Sequence, residues 1–256
     1  MTRRLVLLLL LATGPALADE SICYGTTAKG RLEHGAQLPS GGANFSSYST
    51  VGSLAGRTYV HSKVLKVALA AYKALETSAP GKVFVYGETG WESGGRIRPH
   101  KTHQNGLSVD FMVPVLKGGK SVPLPTSPLN KFGYDLEFDD SGRLEDYSID
   151  FEAIAEHLLE LSKAASVEGI KISRVIFEVP LQKHLFATPQ GAQLKGRMTF
   201  STKQAWVKHD EHYHVDFEVP CKPLEAEQGV PADRPRLASP RLASLRSARP
   251  AAEHRR

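Results

Sequence analysis

The sequence predicts an α+β domain, in which a small antiparallel sheet is flanked by helices. Two stretches, residues 61–81 and 150–169, carry apolar side chains at helical spacing, and Asp150 is placed to cap the second one. Short strand-like runs lie between and after them: VFVYG, LSVDFMVPV, KISRVIFEV and HYHVDFEVP. Residues 116–145 have no strong period, which is typical of a loop that borders a binding groove.

The N-terminus has the pattern of a secretory signal peptide. Two arginines precede an apolar run over residues 5–12, and the segment Ala16-Leu17-Ala18 offers the small residues that a signal peptidase accepts. The apolar run falls short of the ~20 residues that a helix needs to cross a bilayer. We therefore expect residues 1–18 to be removed and the mature protein to be exported, with no stable membrane insertion.

The formal net charge of +5 is concentrated at the two ends of the chain. Residues 1–18 carry two arginines, and residues 222–256 carry eight basic and four acidic residues, which leaves residues 19–221 at −1. A folded part so close to neutral lacks the basic surface of a nucleic-acid-binding protein, so no nucleic-acid partner is expected. Residues 19–221 are about the size of one domain.

Residues 222–256 are predicted to form a disordered tail. They repeat PRLAS, are rich in Pro, Ala, Ser and Arg, and lack aromatic residues. Such a segment cannot bury enough apolar surface to offset the entropy of ordering. Its positive charge suits contact with anionic envelope polymers, although we favour a merely solvated tail.

Cys23 and Cys221 are the two cysteines of the chain. An even number of cysteines in an exported protein favours a disulfide between them, and two unpaired thiols are the alternative. The disulfide would hold the start of the mature chain beside the last strand-like run.

Five of the ten histidines lie in two short stretches, HKTHQNGLSVDFMV and HDEHYHVDFEV. Because side chains alternate across a strand, Asp110 shares a polar face with Ser108, while His212 and His214 share the polar face of the second run. If the two strands are antiparallel neighbours, Asp110 and His214 converge. His103 can join them from the preceding loop, where Gly106 allows a close turn.

Two imidazoles and one carboxylate form a suitable zinc site, so we assign one Zn²⁺ per chain to His103, Asp110 and His214. Three protein ligands leave a fourth position for water, as in catalytic sites. His212 points to the same face and is the candidate general base. A carboxylate in an apolar run needs a partner, which favours metal binding at Asp110. Other divalent ions also suit these ligands.

The two histidine stretches resemble a known family. The spacing of His103 to Asp110 and of His212 to His214 is similar to the H-x(6)-D and H-x-H pattern of zinc peptidases related to D-alanyl-D-alanine peptidases and lysostaphin-type enzymes. More narrowly, GGRIRPHKTHQNGLSVDF and KHDEHYHVDFEVPC resemble the penicillin-insensitive murein endopeptidases of Gram-negative bacteria. The resemblance implies the D-Ala-D-Ala peptidase/hedgehog-like zinc peptidase fold over residues 19–221.

The resemblance also implies a function and further site residues. It implies a periplasmic enzyme that cleaves peptide cross-links of peptidoglycan, notably between D-alanine and diaminopimelate. His100 and His209 occupy the places of two further histidines that line the family's site. A D,D-dipeptidase, an L-Ala-D-Glu peptidase and a non-catalytic wall-binding protein with a structural zinc remain alternatives.

Four other residues have roles that the sequence only suggests. Arg96 could pair with a substrate carboxylate, and a salt bridge within its loop is an equal alternative. Trp206 is a candidate for the wall of the groove. A second metal on Asp150 and His157 is not expected, because they lie two helical turns apart, and we assign them capping and surface roles.

Overall fold

The computed structural model describes residues 20–205 and 207–224 of the chain. The strands are β1 (Ile22–Thr26), β2 (Lys29–Glu33), β3 (Ala36–Gln37), β4 (Phe45–Ser47), β5 (Tyr59–Val60), β6 (Phe84–Tyr86), β7 (Ser108–Met112), β8 (Val115–Lys117), β9 (Lys120–Val122), β10 (Arg143–Leu144), β11 (Tyr147–Ile149), β12 (Lys171–Ile176) and β13 (His212–Glu218). The helices are α1 (Thr50–Leu54), α2 (Ser62–Ser78), α3 (Phe151–Val167), α4 (Val179–Ala187) and α5 (Pro189–Leu194), and Pro128–Gly133 form a 3₁₀ turn. No helix among the described residues is long and apolar enough to cross a membrane.

The largest sheet has five strands in the spatial order β12-β13-β7-β6-β4. The pairs β12–β13, β13–β7 and β7–β6 are antiparallel, as predicted, whereas the edge strand β4 runs parallel to β6. A parallel pair needs a crossover connection, and the segment with α1, β5 and α2 supplies it. The predicted α+β class, with a small sheet flanked by helices, is confirmed.

The two long helices form where the apolar spacing predicts them. Helix α2 begins after His61, whose Nδ1 accepts a hydrogen bond from the Lys63 N–H, and α3 begins after Asp150, whose carboxylate accepts one from the Ala153 N–H. The capping role of Asp150 is therefore confirmed. These side chains satisfy N–H groups that lack partners within the first helical turn.

The segment predicted to be a loop contains part of a second sheet. Its four strands lie in the order β10-β11-β8-β9. Strands of two or three residues are too short to show a period of two in the sequence, which explains why residues 116–145 seemed irregular. The connection from residue 123 to 142 contains the 3₁₀ turn and passes beside the polar face of the large sheet, where it contributes Tyr134.

The predicted disulfide between Cys23 and Cys221 is confirmed, with Cα atoms 4.8 Å apart. Backbone hydrogen bonds between Cys23 and Lys222 and between Gly25 and Lys222 extend the contact. The end of the domain is thus fastened to β1. The predicted signal peptide, residues 1–18, lies outside the described residues, as does the predicted tail beyond Leu224.

The neighbouring strands β7 and β13 separate two environments. On one face, Phe111 and Tyr213 pack against the helices, and the ring of His157 on α3 lies edge-on against Phe111. Our assignment of His157 to the surface is wrong: it is fully buried, and its Nδ1 lies 2.5 Å from the Tyr213 hydroxyl. His157 faces the sheet because it continues the apolar stripe of α3 with Ile154 and Leu161.

Burial lowers the pKa of His157 to about 3, whereas an unfolded histidine titrates near ~6.5. Between these values the unfolded chain binds a proton that the folded chain does not, so His157 lowers stability as the pH falls below the unfolded value. We expect His157→Asn to weaken the pH dependence of the unfolding free energy between pH 6 and 4 by up to about 1.4 kcal/mol per pH unit. Chemical denaturation at several pH values measures it.

The matched control is His184→Asn, since this histidine on α4 is partly exposed and its Nε2 lies 2.9 Å from the Asp140 carbonyl. The control should keep the wild-type slope. An unchanged slope in His157→Asn would contradict the burial argument.

Candidate metal centre

Strand pairing brings the first two predicted ligands together. In the antiparallel register of β7 and β13, His214 lies directly opposite Asp110, and both side chains project from the polar face. The His214 Nδ1 lies 2.8 Å from the Asp110 Oδ1. The convergence expected from alternation and antiparallel pairing is therefore present in the structure.

His103 reaches the same carboxylate oxygen from the loop before β7. Its backbone is left-handed, with φ at +68°, and its Nε2 lies 3.2 Å from the Asp110 Oδ1. Gly106 also has a positive φ, and a Cβ there would lie 2.7 Å from the His61 nitrogen. The close turn that we expected at Gly106 is present, and both the backbone conformation and the lack of space for a Cβ require glycine there.

These donors fit a divalent cation. Asp110 and His103 are fully buried, and the His103 Nε2 forms no hydrogen bond with any residue of the described chain. A buried nitrogen without a hydrogen bond, facing a buried carboxylate, is costly unless an ion joins them. Among the described residues, the group whose ligand atoms all lie within 4.8 Å of one another is His100, His103 and Asp110, which shares two members with the predicted set and has His100 in place of His214.

Each of the three predicted ligands is held by a further partner on the side away from the shared oxygen. The His103 Nδ1 lies 3.1 Å from the Thr89 carbonyl, and the His214 Nε2 lies 2.8 Å from the Asp216 Oδ1. The remaining oxygen of Asp110, Oδ2, accepts a hydrogen bond from the Tyr134 hydroxyl. Metal-binding imidazoles and carboxylates are commonly oriented by such partners.

Asp216 is itself well anchored. Its carboxylate accepts a hydrogen bond of 2.6 Å from the Ser108 hydroxyl and is paired with the guanidinium of Arg174. Burial opposes the charge on His214, but the carboxylates of Asp216 and Asp110 raise its pKa to about 9. A metal that binds at Nδ1 near neutral pH would therefore displace a proton.

His212 lies beside the predicted ligands, and one of its two ring nitrogens is directed toward them. Its Nδ1 lies 2.9 Å from the Glu211 Oε1, and its Nε2 points inward, 3.7 Å from the Asp110 Oδ1. Burial lowers the pKa of His212 to about 4. The ring is therefore neutral at physiological pH, the state in which an imidazole accepts a proton.

His100 and His209 flank the centre in contrasting environments. The His100 Nε2 lies 2.7 Å from Glu88, and although burial opposes it, this contact raises the pKa of His100. His209 lies against His212 with ring centroids 4.6 Å apart and ring planes tilted by 42°, and burial lowers the pKa of His209 to about 4. The structure thus brings all five clustered histidines and Asp110 to one place.

Of the two predicted substrate residues, the structure describes Arg96, which is not part of this cluster. Arg96 is exposed, and its backbone carbonyl accepts a hydrogen bond of 3.3 Å from the Trp91 indole N–H. The alternative salt bridge of Arg96 is not among the ion pairs formed within residues 20–205 and 207–224. Trp206 lies outside the described residues, so its predicted role is not located.

Sequence reasoning missed several partners of the site. Glu211 and Asp216 stand inside the second histidine stretch, and alternation already placed Asp216 on the face of His214, so its role could have been inferred. Glu88 and Tyr134 come from other segments, and no local pattern marks them. Their contribution depends on how distant loops meet.

A comparison with known protein families gives a match over most of the chain. A family model described as penicillin-insensitive murein endopeptidase matches residues 23–235. This match includes both histidine stretches and the strands that carry them. No curated protein sequence matches the chain.

Proposed function

The chain belongs to the penicillin-insensitive murein endopeptidase family, and from this premise we propose that it is a zinc-dependent enzyme of the periplasm. The proposed reaction is hydrolysis of peptide cross-links in peptidoglycan, at the amide bond between D-alanine and diaminopimelate. The observation that carries the proposal is the convergence of His103 and His214 on one oxygen of the buried Asp110.

We assign one zinc ion per chain to His103, Asp110 and His214. Both imidazoles face the same oxygen, Oδ1, and two imidazoles with one carboxylate suit zinc. His100 is the competing ligand, but its Nδ1 lies 3.6 Å from the other oxygen, Oδ2, and its Nε2 is held by Glu88. We therefore place His100 beside the ion rather than among its ligands.

When bound, zinc in such a site supplies a Lewis acid that polarises a carbonyl and makes water more acidic. We assign His212 as the base that accepts the proton of the attacking water at Nε2. Glu211 orients the ring through Nδ1, and the neutral state of the imidazole is the one that catalysis requires. His212 can then return the proton to the departing amine.

His100 and His209 are assigned to the surroundings of the scissile carbonyl. Because Glu88 favours the protonated form of His100, this ring can donate from Nδ1 to negative charge that develops on the carbonyl oxygen. His209 is neutral and packs on His212, so it can limit the positions open to the base.

Substrate recognition is proposed to use an exposed guanidinium. Arg96 projects from the loop before His100, and arginine forks pair with carboxylates such as that of diaminopimelate. Trp206 is proposed as a wall of the groove from its sequence position alone. We further propose that residues 1–18 direct export and that residues 19–221 form the zinc peptidase domain. The basic tail, residues 222–256, is proposed to contact anionic envelope polymers.

Digestion of purified murein sacculi tests the proposed reaction. The zinc-loaded protein should convert cross-linked muropeptides into monomers cut between D-alanine and diaminopimelate, as mass spectrometry of the products would show. Penicillin should leave the rate unchanged, because no serine nucleophile is involved. Release of only D,D-dipeptides, or cleavage between L-Ala and D-Glu, would replace the proposed substrate. Intact sacculi despite bound zinc would favour a wall-binding protein.

Two histidine variants test the division of roles. His214→Ala should abolish activity. It should lower zinc affinity by more than ~100-fold, the upper cost of losing a residue that only hydrogen-bonds to a metal ligand. His212→Ala should keep most of the zinc affinity while kcat falls by about 10²- to 10⁴-fold, as expected for a lost general base. Chelator competition and turnover of a cross-linked muropeptide measure both. His184→Ala is the control, and equal zinc loss in His212→Ala and His214→Ala would refute the assignment.

A further inference from the structure

Tyr134 forms a hydrogen bond with one of the two carboxylate oxygens of Asp110 and so gives the two oxygens different surroundings. Its hydroxyl donates to the Asp110 Oδ2 at 3.0 Å and accepts a hydrogen bond of 2.8 Å from the Glu88 N–H. The donor and acceptor capacities of the hydroxyl are therefore both used in one fixed orientation. The other oxygen, Oδ1, is left for His103 and His214.

The ring of Tyr134 is wedged between two histidines of the site. It lies edge-on against His100, with centroids 5.6 Å apart, and against His212, with centroids 5.2 Å apart. A third edge-on contact, at 6.1 Å, is made with Tyr48. These contacts fix the ring plane, so the direction of the hydroxyl is determined by packing as well as by hydrogen bonds.

The backbone opposite the hydroxyl is shaped to receive it. A Cβ at Gly87 would lie 2.6 Å from the Tyr134 hydroxyl oxygen and 3.0 Å from the Asp110 Cβ. Real side-chain contacts are not that close, so any larger residue at this position would push Tyr134 away from Asp110 or displace the strand.

The segment before Tyr134 is held in an unusual conformation. Lys131 and Phe132 both have a positive φ, at +47° and +59°. The Asn130 side chain fixes the turn, since its Oδ1 accepts hydrogen bonds from the N–H groups of Ser127 and Gly133. Left-handed non-glycine residues persist where the surrounding structure determines them, and such residues cluster at functional sites.

We propose that Tyr134 is a positioning residue that makes Asp110 a one-oxygen ligand, holding Oδ2 so that Oδ1 alone faces the metal between His103 and His214. This inference rests on the proposed metal centre. It adds a residue from the 123–142 connection, which neither histidine stretch contains. Tyr134 acts through Asp110 and is not itself assigned to the substrate.

Tyr134→Phe tests the proposal, because it removes only the hydroxyl and keeps the packed ring. We expect zinc affinity to fall by about 10- to 100-fold, the usual cost of losing a partner that orients a ligand. The absorption spectrum of the Co²⁺-loaded protein should also change, because Asp110 can then rotate and offer both oxygens. Chelator competition and Co²⁺ titration measure these effects without reference to activity.

Tyr147→Phe is the matched control, since it removes a hydroxyl that contacts Lys117 in the second sheet, away from the Asp110 carboxylate. It should keep wild-type zinc affinity and the wild-type Co²⁺ spectrum. Gly87→Ala provides an independent perturbation and should reproduce the spectral change of Tyr134→Phe through displacement of the hydroxyl. Thermal unfolding of each apo variant measures any general loss of stability.

The outcomes separate this inference from the proposed function. If wild-type protein binds no zinc, the metal centre and this inference fall together. If the wild type binds zinc and Tyr134→Phe matches it in affinity and Co²⁺ spectrum, only the positioning role is overturned. A lower melting temperature for apo Tyr134→Phe with unchanged metal binding would also overturn it, since that result assigns the hydroxyl to stability alone.

Discussion

The buried carboxylate of Asp110 is the constraint around which this part of the molecule is organised. An ionised carboxylate in the interior is strongly unfavourable unless charges and hydrogen bonds compensate it. Burial would raise its pKa, but the surrounding imidazoles, His103 and His212 foremost, hold the pKa of Asp110 well below its usual value. The centre of the sheet therefore carries a negative charge, and the site must be assembled correctly for the domain to tolerate it.

The antiparallel pairing of β7 and β13 connects this charge to the hydrophobic core. A single register places Asp110 opposite His214 and, one residue away, Phe111 opposite Tyr213. A shift of one residue would move every side chain to the other face. It would bury the histidines against α2 and α3 and expose the aromatic rings. Core packing and site geometry thus specify the same register, so the core stabilises the arrangement of the predicted ligands.

The sequence predicts those parts of the site that follow from short-range rules. Asp110 and His214 could be placed because a strand alternates with a period of two, and His103 because it precedes the strand by a short loop. Tyr134 could not, since its position depends on two left-handed residues and a turn closed by Asn130. His157 was misassigned because it is a polar residue on the face of α3 that periodicity predicts to be buried. A polar side chain can lie on such a face when it finds a hydrogen-bond partner in the interior, as His157 does in the Tyr213 hydroxyl.

Two glutamates with opposite pKa shifts contact two histidines of the site: Glu88 contacts His100, and Glu211 contacts His212. Burial opposes the charge on Glu88, but His100 and Arg57 lower its pKa to about 2, so it is an anion that favours a proton on His100. Burial raises the pKa of Glu211 well above its usual value, and the nearby Asp210 adds to this effect. Glu211 therefore orients His212 with less of the negative charge that would hold a proton on the ring.

This asymmetry matches the two roles that we propose for His100 and His212 in amide hydrolysis. A donor must already carry its proton when charge develops, whereas a base must arrive without one. In the proposed mechanism, environments that push the pKa values of His100 and His212 apart would provide both from the same type of side chain. Sequence spacing alone cannot distinguish these histidines, because each lies a few residues from a predicted ligand. The difference arises from burial, which lowers the pKa of His212, and from the contact with Glu88, which raises the pKa of His100 although burial opposes it.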